Sequence, residues 1–432
     1  MPRRLAGVFV ALLLSLTSTA QGSPPLYVFA NIGGGELGLI NTDTDDLILV
    51  KVVDLPDWPG QKKILKQHAW VSSDGKTIYM SIDATAIDAE FPSPGGVVVF
   101  DVNEIDWAAG TADLSIQTTI VVSDPGTPGV YPTVTEVDPD QPIVGWTQSP
   151  FTQVHGPSFR PHSKYSYATI WTDDRLIAID TTSNTMAPLS PYSYGNFSRQ
   201  THGLAFNRSG TLALGTGYYY DLTTIDVYAF IPGLALPIPV YSLPLRKGKK
   251  RGAFTHYTVW LNNRYAYTAT QQFARTSLTP KKSDISSPGI WLLDMWTLNA
   301  KRVVGTAQNA NGKGVFRSAS DVNIANGKLY IAEEDTLDGT FGDDGYVAVY
   351  DLSRPRKPRF IKRLKPGAGL PHDFTVAHGL SVTPDQRFAY VASYASSYIV
   401  KIDTNTDEMV QFWGSAEGLM APHGGFVAGA NR

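Results

Sequence analysis

The sequence predicts an all-β protein: a seven-bladed β-propeller closed by N- and C-terminal strands that share one blade. Three observations predict it. A strand-turn-strand phrase, clearest as VAHGLSVTPDQRFAYVAS from Val376 to Ser393, recurs along the chain. Helical periodicity is nearly absent, while Gly (39), Pro (29) and Tyr (21) are plentiful, a mix that suits short strands joined by turns. The first three strands lack an opening histidine strand, and HGGFV from His423 supplies it. A propeller closed in this way leaves no sheet edge open.

The first twenty residues read as a signal peptide. Arg3 and Arg4 form a positive start, Leu5 to Leu16 is apolar, and Ser18-Thr19-Ala20 gives small residues for cleavage. Residues 21–432 are then the propeller. The apolar run is short for a membrane span and no later segment offers one, so the mature protein is expected without a membrane span, in the periplasm or secreted. With 17% charged and 43% hydrophobic residues the chain can bury a large core, and a closed repeat array of 432 residues can be one domain. A net charge of -3 gives no electrostatic case for nucleic acid. The chain has no cysteine, which removes disulfides, thiolate nucleophiles, iron-sulfur clusters and thiolate-ligated copper. Any metal site must use His, Asp, Glu or backbone oxygen.

Strands are expected at Leu26 to Ala30, Glu36 to Asn41 and Leu47 to Val53, followed by six copies of a four-stranded unit. These open at His68, His155, His202, His256, Ser320 and His378. In the copy from His155 the fourth strand is a short Thr185 to Leu189. The Asp or Asn ending the third strand (Asn41, Asp101, Asp180, Asp294, Asp351, Asp403) is placed to open a turn before the fourth.

Six of the eight histidines therefore hold one position in the repeat: His68, His155, His202, His256, His378 and His423. Either each is a structural histidine bonded inside its own blade, or the six converge at the channel mouth as neutral imidazole ligands. The sixth copy breaks the series. Its apolar alternation puts Ser320 at the histidine position, and Asp321 takes it as a carboxylate ligand only if the strand slips by one residue. His162 falls in the polar turn at the far end of its strand. His372 lies six residues before His378, as an outer ligand, a proton shuttle or a loop residue. Arg199 and Arg317 precede two inner strands closely; either attracts an anionic substrate or caps the outer surface. The acidic run over 333–345 permits a calcium loop, without the spacing of an EF-hand, or is a solvated surface.

The phrases HGLSVTPDQRFAYVAS and SYIVKIDTNTDEMV resemble the exported YVTN-type seven-bladed propellers. With a histidine at each inner-strand start, the chain resembles the copper propellers, namely the propeller domain of nitrous oxide reductase and its relative thiocyanate dehydrogenase. In that group histidines from several blades hold a multinuclear copper centre, and by position the six repeat histidines would be its ligands here. No cupredoxin domain, no cysteine and no adjacent His-His pair is present, so the thiocyanate-dehydrogenase-like form fits better. The resemblance implies a periplasmic copper oxidoreductase acting on a small inorganic anion or molecule, with a periplasmic electron acceptor. Two other functions stay open: a non-catalytic exported propeller that binds protein or carbohydrate, and a propeller holding a haem-type cofactor on one histidine.

Overall fold

A computed structural model describes residues 23–52, 64–84, 95–122, 154–170, 175–193, 201–217, 224–247, 250–251, 255–270, 289–305, 319–335 and 344–430. The leader at 1–20, Arg199 and Arg317 lie outside the described residues.

Seven antiparallel sheets form the blades. The first pairs Leu26–Asn31, Glu36–Asn41 and Leu47–Lys51 with Pro422–Val427, so the strand at His423 is the innermost strand of the blade begun at the other end of the chain. The other six blades each run inner to outer in chain order, from inner strands at Ile64–Val71, Val154–Phe159, Thr201–Phe206, Thr255–Trp260, Ala319–Ala325 and Ala377–Val382. Each inner strand packs on the inner strands at either side, which closes the ring of blades.

Burial follows the layering. Second strands are buried on both faces, as in Phe388–Ser393, whereas outer strands alternate, as in Glu408–Trp413. Apolar side chains gather into seven clusters, one at each seam between neighbouring blades. Tyrosines at the third position of second strands add a polar tie across four seams. The hydroxyl of Tyr79 donates to Asn184 Oδ1 at 2.7 Å, Tyr167 to the Ala235 carbonyl at 2.8 Å, and Tyr267 to the Pro355 carbonyl at 2.8 Å. Tyr330 reaches Asp407 in the same way. At about 1.5–3 kcal/mol per large buried apolar side chain against about 1 kcal/mol per hydrogen bond, the clusters hold the seams and the tyrosines set their alignment.

The Asp turns form as their sequence indicates. Asp180, Asp351 and Asp403 each accept the backbone amide two residues on, at 3.0, 2.8 and 2.7 Å. The third blade departs from expectation. Its fourth strand ends at Met186, and Tyr192–Ser193 pairs separately with the same third strand, because Pro188 and Pro191 remove ladder donors between them.

Candidate metal centre

Every inner strand carries a β-bulge near its start, so that two of its residues face one residue of the second strand. Read by register, Ser320 matches His202 as the first bulge residue, and Asp321 matches Gly203 as the second. The second place lies at the seam with the next blade. A Cβ on Gly203 would come within 3.0 Å of the His256 carbonyl, and one on Gly379 within 2.9 Å of Gly424 Cα. Gly156, at φ +49, would meet the His202 carbonyl at 2.2 Å. The His-Gly pairs therefore divide two jobs: the first residue supplies an imidazole and the second lets the adjoining blade approach.

The six histidines come together in one closed ring. Ring centroids are 4.4 Å apart for His68 and His155, 4.3 Å for His155 and His202, and 4.1 Å for His202 and His256. The circuit closes through His256 to His378 at 4.8 Å, His378 to His423 at 4.4 Å and His423 to His68 at 4.8 Å. None is more than 8% exposed. His68 sits one residue nearer its turn than the others do, at the second bulge place, and enters the ring over Gly424, where a Cβ would meet its Nδ1 at 2.4 Å.

Burial comes first, and then the neighbouring imidazoles, in holding His68, His155 and His256 well below the usual imidazole range. The same causes lower His202 to about 3. These rings are neutral at ordinary pH and keep a lone pair available. His68 Nε2 meets His155 Nδ1 at 3.0 Å, while His68 Nδ1 and His378 Nε2 are buried with no hydrogen-bond partner among the described residues. The contacts of His68 with His155 and of His378 with Glu334 each cross from one blade to the next. As the rings stand they touch one another, and among the described residues no three ligating side chains are set around a common point.

The sixth blade contributes differently. Ser320 Oγ donates to the carbonyls of Ala377 and His378 at 2.8 and 3.0 Å, so it grips the next strand. Asp321 accepts the amides of Leu380 and Val322, each at 2.8 Å. Its carboxylate is committed to the seam, which corrects the expected ligand from a slipped strand: the register does not slip. The blade reaches the ring through Glu334 instead, whose Oε1 meets His378 Nδ1. Sequence reasoning missed this residue, because Glu333 and Glu334 open an acidic run that reads as solvated surface. Both are buried, and Glu333 pairs with Arg363 at 3.1 Å. Glu333 and Glu334 thus have partners within the fold, and 336–343 of the acidic run lie outside the described residues.

Two tyrosines wall the ring. Tyr257 stands edge-on to His256 and His202, and Tyr394 packs against His378 and His423. Burial first, and then the Glu334 charge, raises the Tyr394 phenol above its usual value. His372 is exposed on the connection into the seventh blade, and His162 is exposed in its turn at φ +56, away from the buried ring.

No family model and no curated protein matches the sequence. Solved structures do match in fold. The periplasmic gluconolactonase of Pseudomonas aeruginosa is 10% identical, with 92% of this chain and 98% of that one covered and a TM-score of 0.56. A functionally unknown protein of Desulfotomaculum acetoxidans is 10% identical over 94% of this chain and 99% of that one, also at 0.56. A dihydro-heme d1 dehydrogenase is 15% identical over 94% of this chain and 76% of that one, at 0.51. At these identities the likeness is one of architecture, and the chain is a seven-bladed β-propeller of a fold that enzymes share.

Proposed function

We propose that the protein is an exported copper-dependent oxidoreductase that takes a small inorganic anion or molecule at the axial histidine ring and passes electrons to a periplasmic acceptor. The observation that carries this reading is the closed ring of buried, largely neutral imidazoles drawn from six separate blades. A desolvated nitrogen without a partner costs about 1–3 kcal/mol, and His68 Nδ1 and His378 Nε2 stand so among the described residues unless a ligand uses them. The donor set suits copper: uncharged nitrogen ligands, no thiolate, and more donors than the four of a structural zinc site.

His68, His155, His202, His256, His378 and His423 would hold the metal, which when bound supplies Lewis acidity and a one-electron couple. The chain's own part follows from the geometry. The apolar seams around the ring exclude water, Glu334 holds His378 at Nδ1, and Tyr257 and Tyr394 limit what enters. Arg317 is retained as the group that draws in an anion, and His372 as a proton carrier at the rim. A haem-type group is disfavoured at the ring itself, because centroids 4.1–4.8 Å apart leave no gap for a macrocycle.

Elemental analysis of the full chain after exposure to copper tests the proposal. More than one copper per chain is expected in the wild type, with loss of metal in a His202→Ala, His378→Ala double variant that still melts as a folded propeller. A folded wild-type protein that retains no copper overturns the reading and leaves a binding propeller.

A further inference from the structure

Blade six is the one blade without an imidazole in the ring, yet it holds a neighbouring histidine at two points, one on its backbone and one on its ring. Ser320 Oγ donates to the His378 carbonyl at 3.0 Å, and Glu334 Oε1 meets Nδ1 of the same residue. Glu334 is 4% exposed and stands near the end of Lys328–Asp335, a second strand fixed by pairing on both sides. The charge beside it is already matched, since the buried Arg363 pairs with Glu333. Tyr394 closes the other side of the His378 ring, with centroids 5.2 Å apart. A carboxylate at Nδ1 fixes both the tilt of an imidazole and the nitrogen that carries its proton.

We infer that Glu334 is a positioning residue for His378: it holds the proton on Nδ1 and so presents Nε2, buried and without a hydrogen-bond partner, to the ring. Blade six thereby completes the site from its second strand, in place of the histidine its inner strand lacks. The inference deepens the proposed metal site and rests on it for its purpose, but the tautomer itself is a property of the metal-free protein.

Nitrogen NMR of the metal-free full chain, labelled at histidine, tests it, with the His378 signals identified by their loss in His378→Asn. The expected wild-type result is a proton on Nδ1 and a bare Nε2. In Glu334→Leu, His378 is expected to exchange between tautomers, and copper affinity to fall about 10–100-fold with the other ring histidines in place. Glu334→Gln, which keeps an oxygen for Nδ1–H, is expected to restore most of both and also serves if the leucine variant fails to fold. A wild-type His378 with its proton on Nε2, or the same tautomer in wild type and Glu334→Leu, overturns the inference. A tautomer that changes in a protein that takes up no copper leaves the positioning role intact and removes only the copper reading.

Discussion

Nε2 of His68 lies 3.0 Å from Nδ1 of His155, and both rings are buried at the seam between the second and third blades. One nitrogen must give a hydrogen and the other a lone pair, so the contact exists only while at least one of the two rings is neutral. Around the rest of the circuit each imidazole has another at either side, with ring centroids 4.1–4.8 Å apart.

Acid should therefore unfold the metal-free protein early. In the unfolded chain each imidazole takes a proton near pH 6.5, while in the fold His68, His155 and His256 resist protonation well below that and His202 down to about 3. The unfolded state thus binds more protons as pH falls, so stability is full above about 6.5 and is lost on the way down toward 3, at about 1.4 kcal/mol per pH unit for each ring. Thermal melts across this range read the slope, and His202→Asn is expected to reduce it by one proton. A melting temperature that stays flat down to pH 4.5, about two units under the free imidazole value, contradicts the burial argument.

The seam glycines should tolerate no side chain. Gly424→Ala sets a Cβ 2.4 Å from His68 Nδ1, so it must push that ring from the circuit or part the first and second blades. A loss of about 1–3 kcal/mol is expected from chemical unfolding, as for other overpacked interiors. Gly110→Ala meets nothing within 4 Å but sits at φ +67, and is expected to cost only the smaller strain of its turn.

How much of this was legible depended on where periodicity carried the signal. Repeat register placed six histidines at one position of the unit, and the split blade followed from a missing strand at one end and a spare one at the other. Composition could not find Glu334, because an acidic run looks alike in a solvated loop and at a buried strand end. Nor could it show that His68 stands one residue out of step. That offset is absorbed by packing against Gly424, a residue more than three hundred and fifty positions away in the chain.

Arg160 joins the third blade to the fourth chiefly through backbone carbonyls. Its guanidinium donates to the carbonyls of Gly210, Leu234 and Ile231 at 2.7, 2.6 and 3.0 Å and lies over Phe230. Arg160→Met keeps the apolar stem and strands three acceptors, so a loss of about 1.5–3 kcal/mol is expected. Arg160→Lys should recover only part of it, since one ammonium cannot span the same fork. Full recovery by lysine in unfolding experiments speaks against the three-carbonyl clamp.

Removing residues 422–432 should open the first blade rather than trim it. The strand Pro422–Val427 pairs along Leu26–Asn31, and Ala428 donates to the Leu26 carbonyl at 2.8 Å. The truncated chain exposes the edge of Leu26–Asn31 and loses His423 from the ring, and it is expected to melt well below the full chain. Equal melting temperatures count against the shared blade as a source of stability.

Ser23 and Gly429 are neighbours in space: a Cβ on Gly429 would run into the Ser23 side chain. The two ends of the described residues thus meet at one point on a circular object, and the order in which the blades follow one another along the chain is only one of several that would close it. A short covalent join there, with fresh termini cut into the exposed turn at Asp385 and Gln386, gives a circular permutant whose blades are numbered differently and whose imidazoles keep the same neighbours.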